Sequence, residues 1–132
     1  PAVAASVHKP VSGFVLPALG EVTTGFGELS AAGVRSRGLT LRTREKALVI
    51  APAAGRIAFA GPFREYGNIV IVEHRNGLTT LLAGLDKLNV KAGQKVAAGG
   101  PVGQMGTSRR ELTLEIRDNG QPANPLPLVT VN

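Results

Sequence analysis

From Gly13 onward the apolar positions come in short runs, and turn residues separate them. "GLTLRT" alternates apolar and polar, as a half-buried strand does. "ELTLEIR" alternates more strictly. Leu112, Leu114 and Ile116 share one face, and Glu111, Thr113, Glu115 and Arg117 share the other. The leucine face is expected to be core, which leaves the opposite face polar and usable. "YGNIVIVEH" is apolar almost throughout and predicts a buried strand. "RNG" then carries the Asn-Gly hairpin signal, and "LTTLLAGL" is the returning strand. "EVTTGFG" reads as a strand and a glycine turn. "ALVIAPAAGRIAFAG" gives two strands split by Pro52 and Gly55, and "NVKAGQKVAAGGPVGQMG" gives two short strands between glycine turns. "DNGQPANP" closes with a second Asn-Gly hairpin. No segment keeps a helical apolar period, so almost no helix is expected. Many short, closely spaced strands predict an all-β fold, a compact antiparallel sandwich or barrel-like sheet.

Residues 1–12 are small and bracketed by prolines, and they predict a linker or N-terminal arm before a domain over 13–132. Opening on Pro1 suggests a processed or excised piece. The chain length of 132 residues suits one domain. With no cysteine, neither a disulfide nor a thiolate metal site is possible. No apolar run reaches the ~18 residues of a spanning helix, so no membrane span is expected in this segment. Fifteen Lys and Arg against nine Asp and Glu give +6. That suits an acidic partner or ordinary solubility. Phe14, Phe26, Phe59, Phe63 and Tyr66 are few and are not expected to form a stacking platform, so no nucleic-acid partner is expected.

Candidate chemistry is thin. Zinc needs three or four His, Cys, Asp or Glu ligands. The histidines are His8, in the arm, and His74, at a strand end where a solvent-facing tip is expected. The carboxylates are scattered. No Gly-x-Ser-x-Gly elbow and no phosphate-binding loop occurs. Glu111 and Glu115 lie on one strand face roughly 13 Å apart by strand rise, too far for glycosidase chemistry. No cofactor is expected. Arg35 and Arg37 flank Ser36. Arg109 and Arg110 precede the last long strand and are expected to be solvated, and Arg117 ends that strand.

The order of motifs resembles the LytM domain of the M23 zinc-dependent peptidoglycan endopeptidases, from about Gly13 to Leu128. "VRSRGLTLRT" stands where the family has His-x-Gly-x-Asp. "EYGNIVIVEHRNGLTTLLAGL" resembles its Tyr-Gly-Asn segment running to Tyr-x-His-Leu. "VKAGQKVAAGGPVGQMGTS" resembles its turn-rich glycine segment, and "ELTLEIRDNGQPANP" its His-x-His strand ending in Asn-Pro. By that resemblance the metal ligands fall on Ser36, Thr40 and Thr113, and the further active-site histidines on Glu111 and Gly84. All five positions are lost, and with them the Lewis acid and activated water of the family's chemistry. His74 matches a family histidine outside the metal site.

Such degenerate domains resemble divisome factors of the EnvC and NlpD type, murein hydrolase activators. The resemblance implies a periplasmic, non-enzymatic regulator in a Gram-negative bacterium, acting in cell division. Its groove would bind the regulatory helix of an N-acetylmuramoyl-L-alanine amidase. The groove residues implied are Arg35, Arg37, Tyr66, Leu82, Glu111, Thr113 and Arg117, with Leu82 where activators often keep a tyrosine. The alternative is a peptidoglycan-binding pseudoenzyme that anchors its parent protein. An active hydrolase with an unusual site is a further reading. A biotinyl or lipoyl carrier is another, but the lysine context such carriers need is absent.

Overall fold

A computed structural model describes residues 14–125, together with the backbone of 129–130. The arm over residues 1–12, His8 included, lies outside the described residues. The described strands are β1 (Phe14–Val15), β2 (Gly20–Thr24), β3 (Leu39–Thr43), β4 (Leu48–Ile50), β5 (Gly55–Pro62), β6 (Asn68–Glu73) and β7 (Leu78–Leu85). They continue with β8 (Lys87–Leu88), β9 (Lys95–Val96), β10 (Pro101–Gln104), β11 (Glu111–Asp118), β12 (Gln121–Ala123) and β13 (Val129–Thr130). Among the described residues the helical content is a single 3-10 turn at Arg64–Tyr66. The all-β expectation holds.

One large sheet runs β2-β3-β11-β7-β6-β5-β9, with β12 paired to the end of β11, and every pairing in it is antiparallel. A small antiparallel sheet runs β4-β10-β8. β1 and β13 pair in parallel, the exception to the antiparallel pattern. The strands on either side of Pro52 enter different sheets, and so do the two short strands β9 and β10.

Both Asn-Gly signals close hairpins. Asn76 and Gly77 have φ of 60° and 75°, and Asn119 and Gly120 have 52° and 84°. Paired positive φ is the type I′ geometry that matches strand twist. The turns also meet: the Asn119 N–H donates to the Gly77 carbonyl at 2.9 Å.

Parity sets the core. β11 buries Leu112, Leu114 and Ile116 and leaves the residues between them partly open. Leu39 and Leu41 of β3, Val70 and Val72 of β6, and Leu82 of β7 join them. From the small sheet's side come Val49 and Val102, and Met105 joins from just beyond β10. Burying each such aliphatic side chain stabilises by about 1.5–3 kcal/mol relative to exposure.

The expectation for His74 needs correction. Its tip does not face solvent. Nδ1 lies 2.7 Å from the Ala54 carbonyl, and Nε2 lies 2.7 Å from Oγ1 of Thr80, a fully buried threonine. A carbonyl only accepts, so Nδ1 carries the proton and the neutral ring accepts from the Thr80 hydroxyl. The ring also meets Phe14 edge-on, with centroids 5.0 Å apart. Burial holds its pKa below the ordinary 6.5, against an opposing pull from the Ala54 carbonyl.

Candidate functional site

The face of the large sheet opposite the core carries a concave groove of about 550 Å³. Its floor comes from three adjacent strands: Thr113 on β11, Leu81 and Ala83 on β7, and Ile69 and Ile71 on β6. On β6 and β7 apolar residues occupy both faces, so one face fills the core and the other lines the groove.

One wall is aromatic, made by Phe59, Phe63 and Tyr66. The loop between β5 and β6 holds the last two. The Phe63 N–H donates to the Gly67 carbonyl at 3.0 Å, and the Tyr66 N–H donates to the Phe63 carbonyl at 3.1 Å. Their rings stack at 6.2 Å and 22°, and the Arg64 guanidinium sits 5.3 Å from the Phe63 centroid. Tyr66 is 57% exposed and Phe63 43%. The expectation that the aromatics form no platform is therefore overturned: three of them converge on one wall.

The other wall is charged, made by Arg37, Glu115 and Arg117. Arg117 Nη2 lies 3.2 Å from Glu115 Oε1, a pair two residues apart on one strand face. The buried Nε of Arg117 has no protein partner. A buried donor left unpaired costs about 1–3 kcal/mol.

Of the residues named from the resemblance, Arg37, Tyr66, Thr113 and Arg117 line this one groove. Leu82 does not: it is fully buried in the core, and Leu81 takes the groove side. Arg35 does not either. It is drawn aside by a bridge to Leu29, and its Nη1 donates to the Gly27 carbonyl at 3.0 Å. It lines a separate hollow with Leu29 and Val34. Glu111 is exposed at the start of β11, outside the groove lining. Sequence reasoning missed the groove roles of Phe59, Phe63, Ile69, Ile71, Leu81 and Glu115. The continuous apolar run in β6 is the one available signal, since a strand with two apolar faces needs two apolar surroundings.

Of the three positions matched to metal ligands, Thr40 on β3 and Thr113 on β11 remain adjacent, while Ser36 lies in the loop before β3. Thr113 pairs with Thr40 on one side and Ala83 on the other. Ser36 turns its hydroxyl onto its own loop, donating to the Gly38 carbonyl at 2.8 Å. The donors on offer are three neutral hydroxyls, which do not fit a zinc ion that takes imidazole, thiolate or carboxylate. Among the described residues no group of three or more His, Cys, Asp or Glu could hold a metal. At Gly84 the backbone itself has closed. With φ of 102°, a Cβ there would stand 2.4 Å from the Glu111 carbonyl oxygen. No side chain fits that space, least of all an imidazole.

Peptidase family M23 matches residues 34–125. The chain belongs to that family. Murein hydrolase activator NlpD of Escherichia coli is 35% identical over 124 residues, covering 89% of this chain and 31% of its own. Murein hydrolase activator EnvC of the same organism is 34% identical over 115 residues, covering 84% of this chain and 27% of its own. The chain therefore spans about a third or less of these relatives. Among solved structures, Helicobacter pylori Csd3 superposes with a TM-score of 0.80 at 22% identity, over 92% of this chain and 36% of that one. A putative M23 peptidase from Pseudomonas aeruginosa superposes with a TM-score of 0.76 at 25% identity, over 89% and 50% respectively. The M23 fold is thus shared, and the sequence relatives NlpD and EnvC both carry the name of activator.

Proposed function

We propose that this M23 domain is a non-catalytic regulator of cell-wall hydrolysis. It binds the regulatory helix of an N-acetylmuramoyl-L-alanine amidase in the periplasm of a Gram-negative bacterium and so activates that enzyme during cell division. The observation that carries the reading is the groove itself. An apolar floor with one aromatic and one charged wall includes Thr113, a position matched to the family's metal centre, where only hydroxyls remain. An amphipathic helix needs such a surface, with a few anchors and an apolar bed. Activation follows if the groove binds the helix released from the amidase and not the docked one, because binding then shifts the population toward the open enzyme. The activator names of NlpD and EnvC support the same reading.

The anchoring alternative draws on the two exposed, stacked rings of Phe63 and Tyr66, a surface that a sugar ring can cover. Labelled sacculi separate the two. The domain with a periplasmic amidase should raise cleavage, and the domain alone should release nothing. An unchanged amidase rate with the domain pelleting on sacculi would favour anchoring. Release of label by the domain alone would overturn both.

A further inference from the structure

A second hollow, of about 370 Å³, lies beside the β5–β6 loop and shares no lining residue with the groove. We infer that it is a binding site for a small anion, a carboxylate or phosphate group on a compact polar molecule. Its size falls within the usual range for small-molecule sites, about 300–1,000 Å³.

Charge is the first observation. Lys46, Lys87 and Arg109 line the hollow against a single carboxylate, Asp86. Among the described residues the ion pair is Arg117–Glu115, so none of these four groups is neutralised by another side chain. Like charges on a convex surface are simply solvated. In a concavity their fields add, and the local concentration of counter-ions rises.

Orientation is the second. Arg109 spends one donor on its surroundings, Nη2 to the Glu65 carbonyl at 3.3 Å. That bond orients the guanidinium and leaves other N–H groups for a fork-on-fork contact with carboxylate or phosphate. Asn68 and Gln104 brace the rim. Asn68 Nδ2 donates to the Asp86 carbonyl at 3.0 Å, and Gln104 Nε2 donates to the Lys46 carbonyl at 3.2 Å.

Lys46 is the third. It has φ of 57°, in a turn closed by the Ala47 N–H on the Arg44 carbonyl at 3.3 Å. A position of this kind favours glycine. The chain carries a lysine there instead, held by its own N–H on the Gly106 carbonyl at 3.1 Å. A glycine there would keep the turn and remove only the side chain.

Lys46→Gly makes a clean test, because glycine suits the backbone and the substitution removes the charge. The chain, labelled with ¹⁵N, is titrated at low salt with inorganic phosphate, with N-acetyl-Ala-Ala bearing a free carboxylate, and with its C-terminal amide. Saturable shifts are expected at the amides of Asp86, Gly106, Thr107 and Ser108 with phosphate, the free carboxylate or both, and not with the amide. Whichever saturates at the lower concentration identifies the source of the anion. Lys46→Gly and Arg109→Gln should each weaken binding at least five-fold, and Lys46→Gly should melt no lower than the parent. Shifts that never saturate and spread over the whole surface would overturn the site. So would saturable shifts that both variants leave unchanged. No amidase takes part, so this outcome is independent of the groove's role.

Discussion

Thr40 and Thr113 stand directly opposite each other on β3 and β11, two uncharged hydroxyls at adjoining positions where zinc ligands would be sought. A hydroxyl is a poor partner for zinc, and among the described residues no cluster of imidazoles and carboxylates replaces it. The purified domain should bind well under one equivalent of zinc by elemental analysis. Added zinc or EDTA should leave its melting temperature unmoved. Stoichiometric zinc would sink the non-catalytic reading.

Tyr66 should be an anchor for whatever enters the groove. It is mostly exposed, so Tyr66→Ala should leave the fold intact. Truncating an anchor costs about 2 kcal/mol or more, or roughly 30-fold in affinity. Amidase activation by this variant should fall to match, with an unchanged circular dichroism melt. Full activation would remove Tyr66 from the groove assignment.

Arg117→Ala should also weaken activation, through loss of its guanidinium. Glu115 would keep its charge with only 17% of its side chain exposed and its ion-pair partner gone. Glu115→Gln in the same chain should therefore recover stability without recovering activation. Recovery of both would mean that Arg117 serves only its neighbour.

His74 gives the domain a pH dependence with a definite sign. Its folded pKa lies below 6.5, so the unfolded chain takes up this proton first as pH falls. The contribution is fully present above pH 6.5 and is lost as pH drops through the folded pKa. Urea unfolding between pH 8 and pH 5 should show that decline, and His74→Gln should flatten it. A parent curve no steeper than the variant's would contradict the buried neutral ring.

Gly84→Ala tests the closed backbone. It combines a disfavoured φ with a Cβ driven onto the Glu111 carbonyl, and it should destabilise by more than about 1 kcal/mol. Leu114→Ala, in the core, should cost about 2–5 kcal/mol. If Gly84→Ala melts like the parent, the strand can open, and a histidine there would not be excluded by space.

The sequence revealed most where the two faces of a strand differ in chemistry. β11 alternates leucine with polar residues, so its core side and open side follow from residue types alone. β6 and β7 are apolar on both sides, and periodicity cannot tell which of Ile69 and Val70, or Leu81 and Leu82, faces the groove. Motif order points to Leu82, but it fixes sequence position and not the face, and the positive φ at Gly84 breaks the alternation nearby. Arg35 sits two residues from Arg37 in sequence, but a local bridge to Leu29 turns it away. The aromatic wall needs the loop geometry that stacks Phe63 on Tyr66, and no spacing rule encodes that.

The alternation in β11 also bears on how such a chain could change its trade. Leu112, Leu114 and Ile116 carry the folding, while Glu111, Thr113 and Glu115 face outward between them. Mutation can therefore rewrite the odd positions while the even ones stay under selection for stability. A lineage built on such a strand can abandon one livelihood and try another without passing through an unfolded ancestor.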